Sequence, residues 1–335
     1  LYLTTTAIAI TLAIALALII APGVTDQAMT STASFSAKEA PSLTQVLINI
    51  IPSNPVKAMA EGNMLQIIVF ALLFGIAVSL AGESGKRIAA FFEDMNEVVM
   101  KIVNIVMNLA PYGVFFLMAK LASEISPTTF INVAKYFFVV LLALGVHALV
   151  TYPTILKFLT GLNPIIFIRK MRDTALFAFS TASSNATIPV TLETTTKKMG
   201  VDNSIASFTV PLGATINMDG TAIMQGVATV FIAQVYGVDL SIADYLMVIL
   251  TATLASIGTA GVPGVGLIML AMVLQQVGLP VEGIALIIGV DRLLDMTRTA
   301  VNVTGDSMVT VIVAKTEKEL DTEIYNDPWV GRKTE

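Results

Sequence analysis

Four polar side chains late in the sequence share one face of a predicted helix: Asp291, Asp295, Arg298 and Asn302. Their spacing is i, i+4, i+7 and i+11, so they follow one stripe of a helix that is otherwise apolar. A fixed cation beside a fixed anion suits an amino acid that carries a second carboxylate. Arg298 can bind that carboxylate through two parallel hydrogen bonds, and Asp295 can accept the ammonium group. The same charges would also fit a buried ion pair that only holds the helix in its bundle.

A second polar set interrupts an apolar stretch earlier in the chain, where residues 217–221 read NMDGT. Asn302 and Asp306 offer a similar mixture of amide and carboxylate oxygens on the helix described above. Hard cations bind such oxygens, and sodium is expected to follow the same preference. The motif therefore predicts a cation site, with a glycine kink and a hydrogen-bonded Asp219 as the alternative.

Other polar residues give weaker signals. The hydroxyl groups of Tyr2, Thr5 and Thr6 fit helix packing when they are judged on composition alone. His147 stands among Leu, Ala, Gly and Val with no acid nearby in the sequence. A packing histidine is therefore favoured over a proton relay.

The overall composition decides the class of protein. Of 335 residues, 55% are hydrophobic and 13% are charged, and the mean hydropathy is +0.81. Soluble domains carry roughly 25% charged residues, so the composition predicts a multi-span membrane protein and not a soluble enzyme. The formal net charge of -5, without a broad basic patch, argues against nucleic-acid binding. The absence of cysteine and the single histidine leave neither a thiolate metal site nor a Ser-His-Asp triad.

Hydropathy divides the chain into the elements that must position these residues. Outside the two hairpins described next, these elements are an apolar span at 1–21, several spans at 38–127, a long span at 128–160, a broken span at 204–236, a span with the charged stripe at 282–315, and a charged tail at 316–335 that is expected in the cytoplasm. Within 38–127, a charged amphipathic stretch is expected to end at residue 97, before a further span.

Two stretches, 161–200 and 240–281, are long enough to cross a membrane but have polar or glycine- and proline-rich middles. Such backbone is tolerated at membrane depth only where it lines a cavity or is buried in protein, so each stretch predicts a re-entrant hairpin. Basic residues flank the first hairpin and only acidic residues flank the second, which indicates entry from the cytoplasmic and the outer side respectively. The second half of the chain thus repeats one unit, a hairpin followed by a span with Asn and Asp in its middle, and the two hairpins enter from opposite faces. Such inverted repeats are typical of secondary transporters. The predicted fold class is an all-α multi-span membrane protein with inverted repeats.

Four motifs carry a family resemblance: SSNATIP at 183–189, NMDGT at 217–221, GTAGVPG at 258–264 and DMTRTAVNVTGD at 295–306. In this order they resemble the signature blocks of the glutamate transporter family, the dicarboxylate/amino acid:cation symporters. The resemblance covers essentially the whole chain from the family's third span onward and implies two further spans before residue 1. It also implies a homotrimer in the plasma (inner) membrane, with 38–127 supplying mainly the static, trimerising scaffold. The other spans would form a transport domain that moves by an elevator mechanism.

The resemblance implies a substrate site on the two hairpin tips, the broken span and the last span. Backbone at the tips would bind the α-carboxylate with help from Asn302, while Arg298 would bind the side-chain carboxylate and Asp295 the amino group. Asp291 would support Arg298. The full implied set is Ser183, Ser184, Thr221, Val262, Gly266, Asp291, Asp295, Arg298, Thr299 and Asn302.

The resemblance also implies three sodium sites and no organic cofactor. The first would use backbone oxygens and one carboxylate, from Gly213, Asn217, Asn302 and Asp306. The second would use backbone oxygens under the second hairpin, from Thr215, Ser256, Ile257 and Thr259. The third would turn the opening hydroxyl groups into ligands, with Tyr2, Thr5, Thr6, Asn217 and Asp219.

The predicted function is sodium-driven uptake of aspartate or glutamate through the lipid bilayer. Two positions depart from the family pattern, because archaeal members have arginine where this chain has Ala182, and animal members have arginine where it has Met296. Asp295 favours an amino acid, since family members for C4-dicarboxylates lack it. The alternatives are a neutral amino acid, cystine or a C4-dicarboxylate as substrate, proton coupling, and, more distantly, an ion channel.

Overall fold

The computed structural model describes residues 1–24, 51–61, 64–107, 112, 115–116, 127–257, 261 and 263–327. All regular elements in these ranges are helical, and the one isolated β-bridge among them pairs Val201 with Leu320. The all-α part of the predicted fold class is therefore confirmed. The predicted sodium ligand Thr259 and substrate residue Val262 lie outside the described residues.

The helices are numbered in chain order. They are α1 (Tyr2–Ile20), α2 (Pro55–Glu61), α3 (Met64–Leu80), α4 (Gly82–Met107), α5 (Pro127–Val146), α6 (Tyr152–Thr160), α7 (Pro164–Thr181), α8 (Ser184–Glu193), α9 (Asn203–Ile216), α10 (Asp219–Tyr236), α11 (Ile242–Ile257), α12 (Val265–Gln276), α13 (Ile284–Glu317) and α14 (Thr322–Asn326). The chain forms two compact units, Leu1–Ala40 with Thr128–Glu335 and Pro41–Pro127.

The second unit contains α2, α3 and α4. Phe74 of α3 meets Phe92 of α4 edge to face, with ring centroids 5.5 Å apart. The charged amphipathic stretch and the apolar stretch that follows residue 97 belong to one helix, because α4 continues through this boundary to Met107. The stretch around it has no glycine or proline, so a change in hydropathy alone does not end the helix.

The long span bends without breaking. Between α5 and α6, residues His147–Thr151 form one π-helical turn, in which the N–H of Tyr152 bonds to the carbonyl of His147. Pro153 follows directly and has no N–H for an α-helical bond to the carbonyl four residues earlier. A widened turn accommodates this defect and changes the direction of the side chains around it.

The stretch predicted as the first hairpin folds into two consecutive helices, α7 and α8, and these are called the first hairpin below. Asn163 caps the start of α7, and Pro164 occupies its first turn. At the tip, Ala182 adopts a left-handed conformation with φ 49° and ends α7. Ser183 is extended, and its side chain accepts the backbone N–H of Ala186, so the next helix starts at once.

The middle of the first unit is a pair of broken helices around a buried centre. Asn217 and Met218 separate α9 from α10, and α10 is buried along almost its whole length. Gly226 of α10 allows close packing with α1, since a Cβ there would lie 3.3 Å from the Cβ of Ala13. A second pair, α11 and α12, is joined by the glycine-rich segment that contains Gly261 and Gly264.

The charged tail packs against the base of the first hairpin. Lys170 of α7 donates to the carbonyls of Lys198, Ile324 and Tyr325 at 2.6, 2.7 and 2.9 Å. The Tyr325 side chain is fully buried, and its hydroxyl donates to the carbonyl of Asn163 at 3.0 Å. Up to residue 327 the acidic side chains of the tail are exposed, while its backbone is bound to the rest of the unit.

Among the described helices, two are long and apolar enough to cross a membrane by themselves, Tyr2–Ile20 and Phe130–Thr160. The remaining predicted spans are divided by breaks into shorter helices or, like α13, carry charges in their middle. The breaks leave apolar helices that are shorter than a membrane span, and the charges lower the mean hydropathy of α13.

Candidate functional site

The polar stripe of α13 forms a buried ion triad. The Nη1 atom of Arg298 donates to Asp291 at 2.6 Å, and Nη2 donates to Asp295 at 2.8 Å. Arg298 has no exposed surface, and the two aspartates are 6% and 8% exposed. Two carboxylates against one guanidinium leave the triad with one net negative charge.

Two glycines without side chains leave room for the backbone and the guanidinium group of Arg298. A Cβ on Gly220 would lie 2.6 Å from the backbone oxygen of Arg298, so α10 approaches the backbone of α13 at this point. A Cβ on Gly266 would lie 3.3 Å from Nη2 of Arg298 and 3.2 Å from Cγ2 of Thr221. The guanidinium therefore reaches the space between α10, α12 and α13.

A small cavity opens beside the triad, with a free volume of about 10 Å³. That volume is close to the room that one water molecule requires. Its lining unites the first hairpin, the broken helix, the second hairpin and α13. The lining residues are Ala182, Ser184, Met218, Thr221, Gly261, Val265, Gly266, Asp295, Thr299 and Asn302.

Six of the predicted substrate residues are among them, namely Ser184, Thr221, Gly266, Asp295, Thr299 and Asn302. Arg298 and Asp291 lie behind Asp295 in the triad. The lining also contains Ala182, Met218, Gly261 and Val265, which the sequence did not single out as ligands. Of these, Ala182 was noted only as a departure from the family pattern.

The tips of the two hairpins meet over this cavity. The hydroxyl of Ser183 donates to the carbonyl of Gly261 at 2.7 Å, and the backbone N–H of Asn185 donates to the same oxygen at 3.3 Å. On the other side, the N–H of Gly264 donates to Oδ2 of Asp295 at 3.1 Å. Both carboxylate oxygens of Asp295 are thus bound within the protein, one by Arg298 and one by the second hairpin.

Further along α13, oxygen atoms from α13, from α1 and from the end of α9 lie close together. Nδ2 of Asn217 donates to Oδ1 of Asp306 at 2.8 Å and to the backbone oxygen of Asn302 at 3.2 Å. A Cβ on Gly213 would lie 2.7 Å from both Oδ1 of Asp306 and the hydroxyl of Tyr2. The structure therefore brings together the four residues predicted for the first sodium site.

One oxygen atom of this set lacks a hydrogen-bond partner. The Oδ1 oxygen of Asn217 is buried and has no hydrogen-bond partner among the described residues. A buried acceptor without a partner destabilises the fold by about 1–3 kcal/mol. A cation between this amide oxygen, the Asp306 carboxylate and nearby carbonyls would satisfy it.

Asp219 forms the centre of another buried cluster. Its Oδ1 lies 2.5 Å from the hydroxyl of Thr6, and its Oδ2 accepts the hydroxyl of Tyr152 at 2.8 Å. The Nε2 atom of His147 lies 3.2 Å from the same Oδ2. Thr6 and Asp219 of the predicted third site are therefore in contact.

The other residues predicted for the third site have different partners. The Tyr2 hydroxyl donates to the backbone oxygen of Thr209 at 2.9 Å, and the Thr5 hydroxyl donates to the backbone oxygen of Tyr2. Asn217 turns its amide towards Asp306, as described above. These side chains lie around Asp219 and Asp306 without contacting Asp219 directly through the hydrogen bonds described.

The second predicted sodium site consists of helix ends. The hydroxyl of Ser256 at the end of α11 lies 3.4 Å from the backbone oxygen of Ile216 at the end of α9. The last carbonyls of a helix have no partner inside it and carry partial negative charge, which favours a cation. Thr215 and Ile257 belong to the same two helix ends, although the Thr215 side chain is exposed.

The sequence missed the contribution of the long bent helix. His147 has no acid nearby in the sequence, but Asp219, 72 residues later, lies within hydrogen-bond distance. The sequence gives no sign that Tyr152 belongs to the same cluster. The only local signal is Pro153, which predicts a distorted helix but not the direction in which the side chains before it point.

Among the residues that the structure describes, no group of three or more His, Cys, Asp or Glu side chains is arranged to hold a metal ion. The oxygens described above are instead hydroxyl, amide, backbone and single carboxylate oxygens. Such a mixture carries little charge and suits a monovalent cation better than a transition metal.

Comparison with known proteins gives consistent matches. The family model "Sodium:dicarboxylate symporter family" matches residues 1–316. The proton/sodium-glutamate symport protein of Bacillus subtilis (strain 168) is 38% identical over 276 residues, which are 82% of this chain and 64% of that protein. Excitatory amino acid transporter 3 of Mus musculus is 44% identical over 261 residues, 77% of this chain and 50% of that protein.

A third relative is matched over most of this chain. The proton/glutamate-aspartate symporter of Escherichia coli (strain K12) is 37% identical over 327 residues, 94% of this chain and 74% of that protein. The chain spans less than two-thirds of the length of the Bacillus and mouse relatives.

Proposed function

The chain belongs to the sodium:dicarboxylate symporter family, and from this premise we propose that it drives uptake of aspartate or glutamate with sodium. The observation that carries the proposal is the triad of Arg298, Asp291 and Asp295 next to the cavity between the two hairpins. The family is one of transporters, and the relatives named above are glutamate or excitatory amino acid transporters.

The triad explains how both ends of an acidic amino acid would be recognised. Each terminal nitrogen of Arg298 has a second N–H besides the one bound to aspartate, so the guanidinium can still donate to a substrate carboxylate. The single net negative charge of the triad favours an ammonium group at Asp295. The hydroxyls of Ser184 and Thr299 and the amide of Asn302 line the same cavity and offer polar contacts for the α-carboxylate.

The oxygens around Asp306 and Asp219 would bind the driving cations. They are buried next to the cavity, and the backbone N–H of Gly220 donates to Oδ1 of Asn302 at 2.7 Å. Asn302 thereby belongs to both the cavity lining and the cation side. A shared residue gives a physical route by which bound sodium would raise the affinity for substrate.

Access would require movement of the second hairpin. A free volume of about 10 Å³ does not hold an amino acid, and Gly264 and Gly261 close the cavity through backbone hydrogen bonds. We propose that the first compact unit is the mobile transport domain of an elevator mechanism. The unit Pro41–Pro127 would be the scaffold of a homotrimer in the plasma membrane, with the whole chain crossing that membrane several times.

Proton coupling is the second candidate. The names of the two bacterial relatives include the proton, and His147 lies against Asp219. The uncharged hydroxyl, amide and carbonyl oxygens around both carboxylates favour sodium, since a proton needs a single acceptor and no coordination sphere.

Transport into proteoliposomes tests the proposal. Labelled aspartate should accumulate against its gradient only when sodium is higher outside, and a pH gradient alone should not replace sodium. Equal accumulation with the pH gradient alone would contradict sodium coupling, and uptake of neutral amino acids in preference to aspartate would contradict the substrate class.

Arg298→Ala tests the assigned role of the arginine. We expect the KM for aspartate to rise by about 100-fold or more, because a buried charged contact is lost. Small neutral amino acids should be less affected. Arg292→Ala is the matched control, since Arg292 lies on the same helix 3.8 Å from Asp295 but is 60% exposed. Unchanged aspartate transport by Arg298→Ala would remove the arginine from its proposed role.

A further inference from the structure

The hydroxyl of Tyr152 lies at the centre of the buried polar region without belonging to any of its motifs. It donates to Oδ2 of Asp219 at 2.8 Å, and the residue has no exposed surface. Tyr152 and Asp219 are 67 positions apart and lie on different helices, α6 and α10. A buried hydroxyl with a charged partner is a strong contact, because a charge-assisted hydrogen bond is roughly twice as strong as a neutral one.

The π-helical turn sets the direction of the Tyr152 side chain. Residues His147–Thr151 complete the widened turn directly before Tyr152, and Pro153 follows. The rings of His147 and Tyr152 pack edge to face with centroids 4.4 Å apart, and both reach the same carboxylate oxygen. In an uninterrupted α-helix, which turns by about 100° per residue, two residues five positions apart would point in clearly different directions.

A recess in α13 receives the hydroxyl. A Cβ on Gly305 would overlap the Tyr152 hydroxyl and lie 2.6 Å from Nδ2 of Asn217. The same Nδ2 donates to Asp306 at 2.8 Å. Tyr152 and Asn217 therefore meet at Gly305, and each of them binds one of the two buried carboxylates.

We propose that Tyr152 is a positioning residue for cation binding at Asp219. Its hydrogen bond, together with that from His147, fixes Oδ2 and leaves Oδ1 directed towards Thr6 and the α1 side of the cluster. Its position at Gly305 also ties this carboxylate to the Asn217–Asp306 pair. The inference rests on the proposed function, since it names a residue that sets the strength of the cation binding proposed there.

Tyr152→Phe removes the hydroxyl and keeps the ring that packs against His147. The carboxylate of Asp219 then loses one hydrogen-bond donor that fixes its orientation. The cation has to order this carboxylate itself, which weakens cation binding. We expect the sodium concentration that gives half of the thermal stabilisation to rise about tenfold, the effect of losing one charged hydrogen bond.

The unfolding temperature of the purified protein, measured at increasing sodium concentrations, gives this sodium midpoint without a transport assay. A ligand that binds only the folded state raises the unfolding temperature. Tyr136→Phe is the matched control. Tyr136 is equally buried on the adjoining α5, and its hydroxyl has no hydrogen-bond partner among the described residues. This control should keep the wild-type sodium midpoint.

The outcomes separate the possible roles. A lower unfolding temperature without sodium and an unchanged sodium midpoint would mean that Tyr152 acts only in packing, which would overturn the proposal. In an Asp219→Asn background, Tyr152→Phe should cause no further shift of the midpoint, and a full additional shift would also overturn it. If sodium fails to stabilise even the wild-type protein, the proposed sodium coupling itself is wrong and this inference falls with it.

Discussion

The charged side chain of Arg298 is fully buried in the first unit. Taking a guanidinium fully out of water destabilises the fold by several kcal/mol unless partners offset it. Asp291 and Asp295 supply those partners at 2.6 and 2.8 Å, and they leave one negative charge in excess. Under the proposed function, that excess would favour an amino acid over a plain dicarboxylate, because only the amino acid brings a compensating ammonium group.

Gly266→Ala probes the space in front of this arginine. The new Cβ would lie 3.3 Å from Nη2 of Arg298 and 3.2 Å from Thr221, so both neighbours would have to move by a few tenths of an ångström. We expect the KM for aspartate to rise about tenfold, since a small displacement of a charged donor weakens its contact with substrate. Measurement of initial uptake rates at saturating sodium gives this value.

Gly145→Ala is the control for the change from glycine to alanine. A Cβ on Gly145 would meet no atom within 4 Å, and the residue lies inside α5. It should keep the wild-type KM and gain up to about 1 kcal/mol of helix stability. An unchanged KM for Gly266→Ala as well would mean that the cavity widens freely next to Arg298.

The stripe of α13 was predictable because the period of a helix is regular. The spacing of Asp291, Asp295 and Arg298 alone predicts a common face, and the structure has them in direct contact. Tyr152 was not predictable in this way. Its partner lies 67 positions later, and its direction depends on a π-helical turn that no periodic pattern indicates.

At the scale of elements, the base of the first hairpin is held by one lysine. The ammonium group of Lys170 has three donors and three backbone acceptors, from Lys198, Ile324 and Tyr325. The start of α9 adds a cap next to this base, where hydrogen bonds from the hydroxyl and backbone N–H of Ser204 lower the pKa of the Asp202 carboxyl. The tail, α7 and the connection to α9 therefore form one packed corner.

Lys170→Met should release the tail. The substitution keeps the length of the side chain but leaves three carbonyls without their donor, and each lost bond to a charged group contributes about 1.5–3 kcal/mol. Tyr325, which is fully buried, should then become a site for limited cleavage by chymotrypsin. The rate of this cleavage, followed by mass spectrometry, measures the effect.

Lys157→Met is the corresponding control. Lys157 also donates to a backbone carbonyl, that of Gly161 at 2.8 Å, but in an exposed position. Its replacement should leave Tyr325 protected. Equal protection of Tyr325 in both variants would show that the tail is held by its β-bridge and apolar contacts and not by Lys170.

The tail also shows which contacts a sequence-based prediction leaves out. Its many charges are typical of a solvated segment, and hydropathy averages the side chains without regard to the backbone. The contacts that hold it are mostly backbone bonds, such as that from Asp321 N–H to the carbonyl of Gly200 at 2.8 Å. In contrast, the break between α9 and α10 was indicated directly by Asn217 and Gly220, because polar and glycine residues interrupt an apolar helix.

For the whole molecule, the absence of cysteine offers a direct test of how the chain crosses the membrane. Asp239→Cys and Glu319→Cys each introduce one thiol at an exposed position, before the second hairpin and in the tail respectively. A membrane-impermeant maleimide added to intact cells should label Asp239→Cys only. Glu319→Cys should react only after the membrane is permeabilised.

The expected pattern follows from the distribution of charges, since basic residues favour the cytoplasmic side. The unsubstituted chain should not be labelled and serves as the background. Labelling of both positions from outside would contradict the proposed orientation of the two hairpins. Labelling of neither position before or after permeabilisation would mean that both segments are covered.

The contacts of α1 have a consequence for biosynthesis. The Tyr2 hydroxyl binds the carbonyl of Thr209, and Thr6 binds Asp219, across 207 and 213 positions. When α1 enters the membrane, neither partner has been made by the ribosome. Asn217 and Asp219 in turn are made before Asp306, to which Asn217 donates a hydrogen bond. A carboxylate at the bilayer centre is unfavourable by about 2.5–3.5 kcal/mol on insertion scales. The nascent chain must therefore keep this carboxylate hydrated until α13 has been made. The interval between the synthesis of Asp219 and that of α13 is thus the period in which the protein is most exposed to misfolding and quality control.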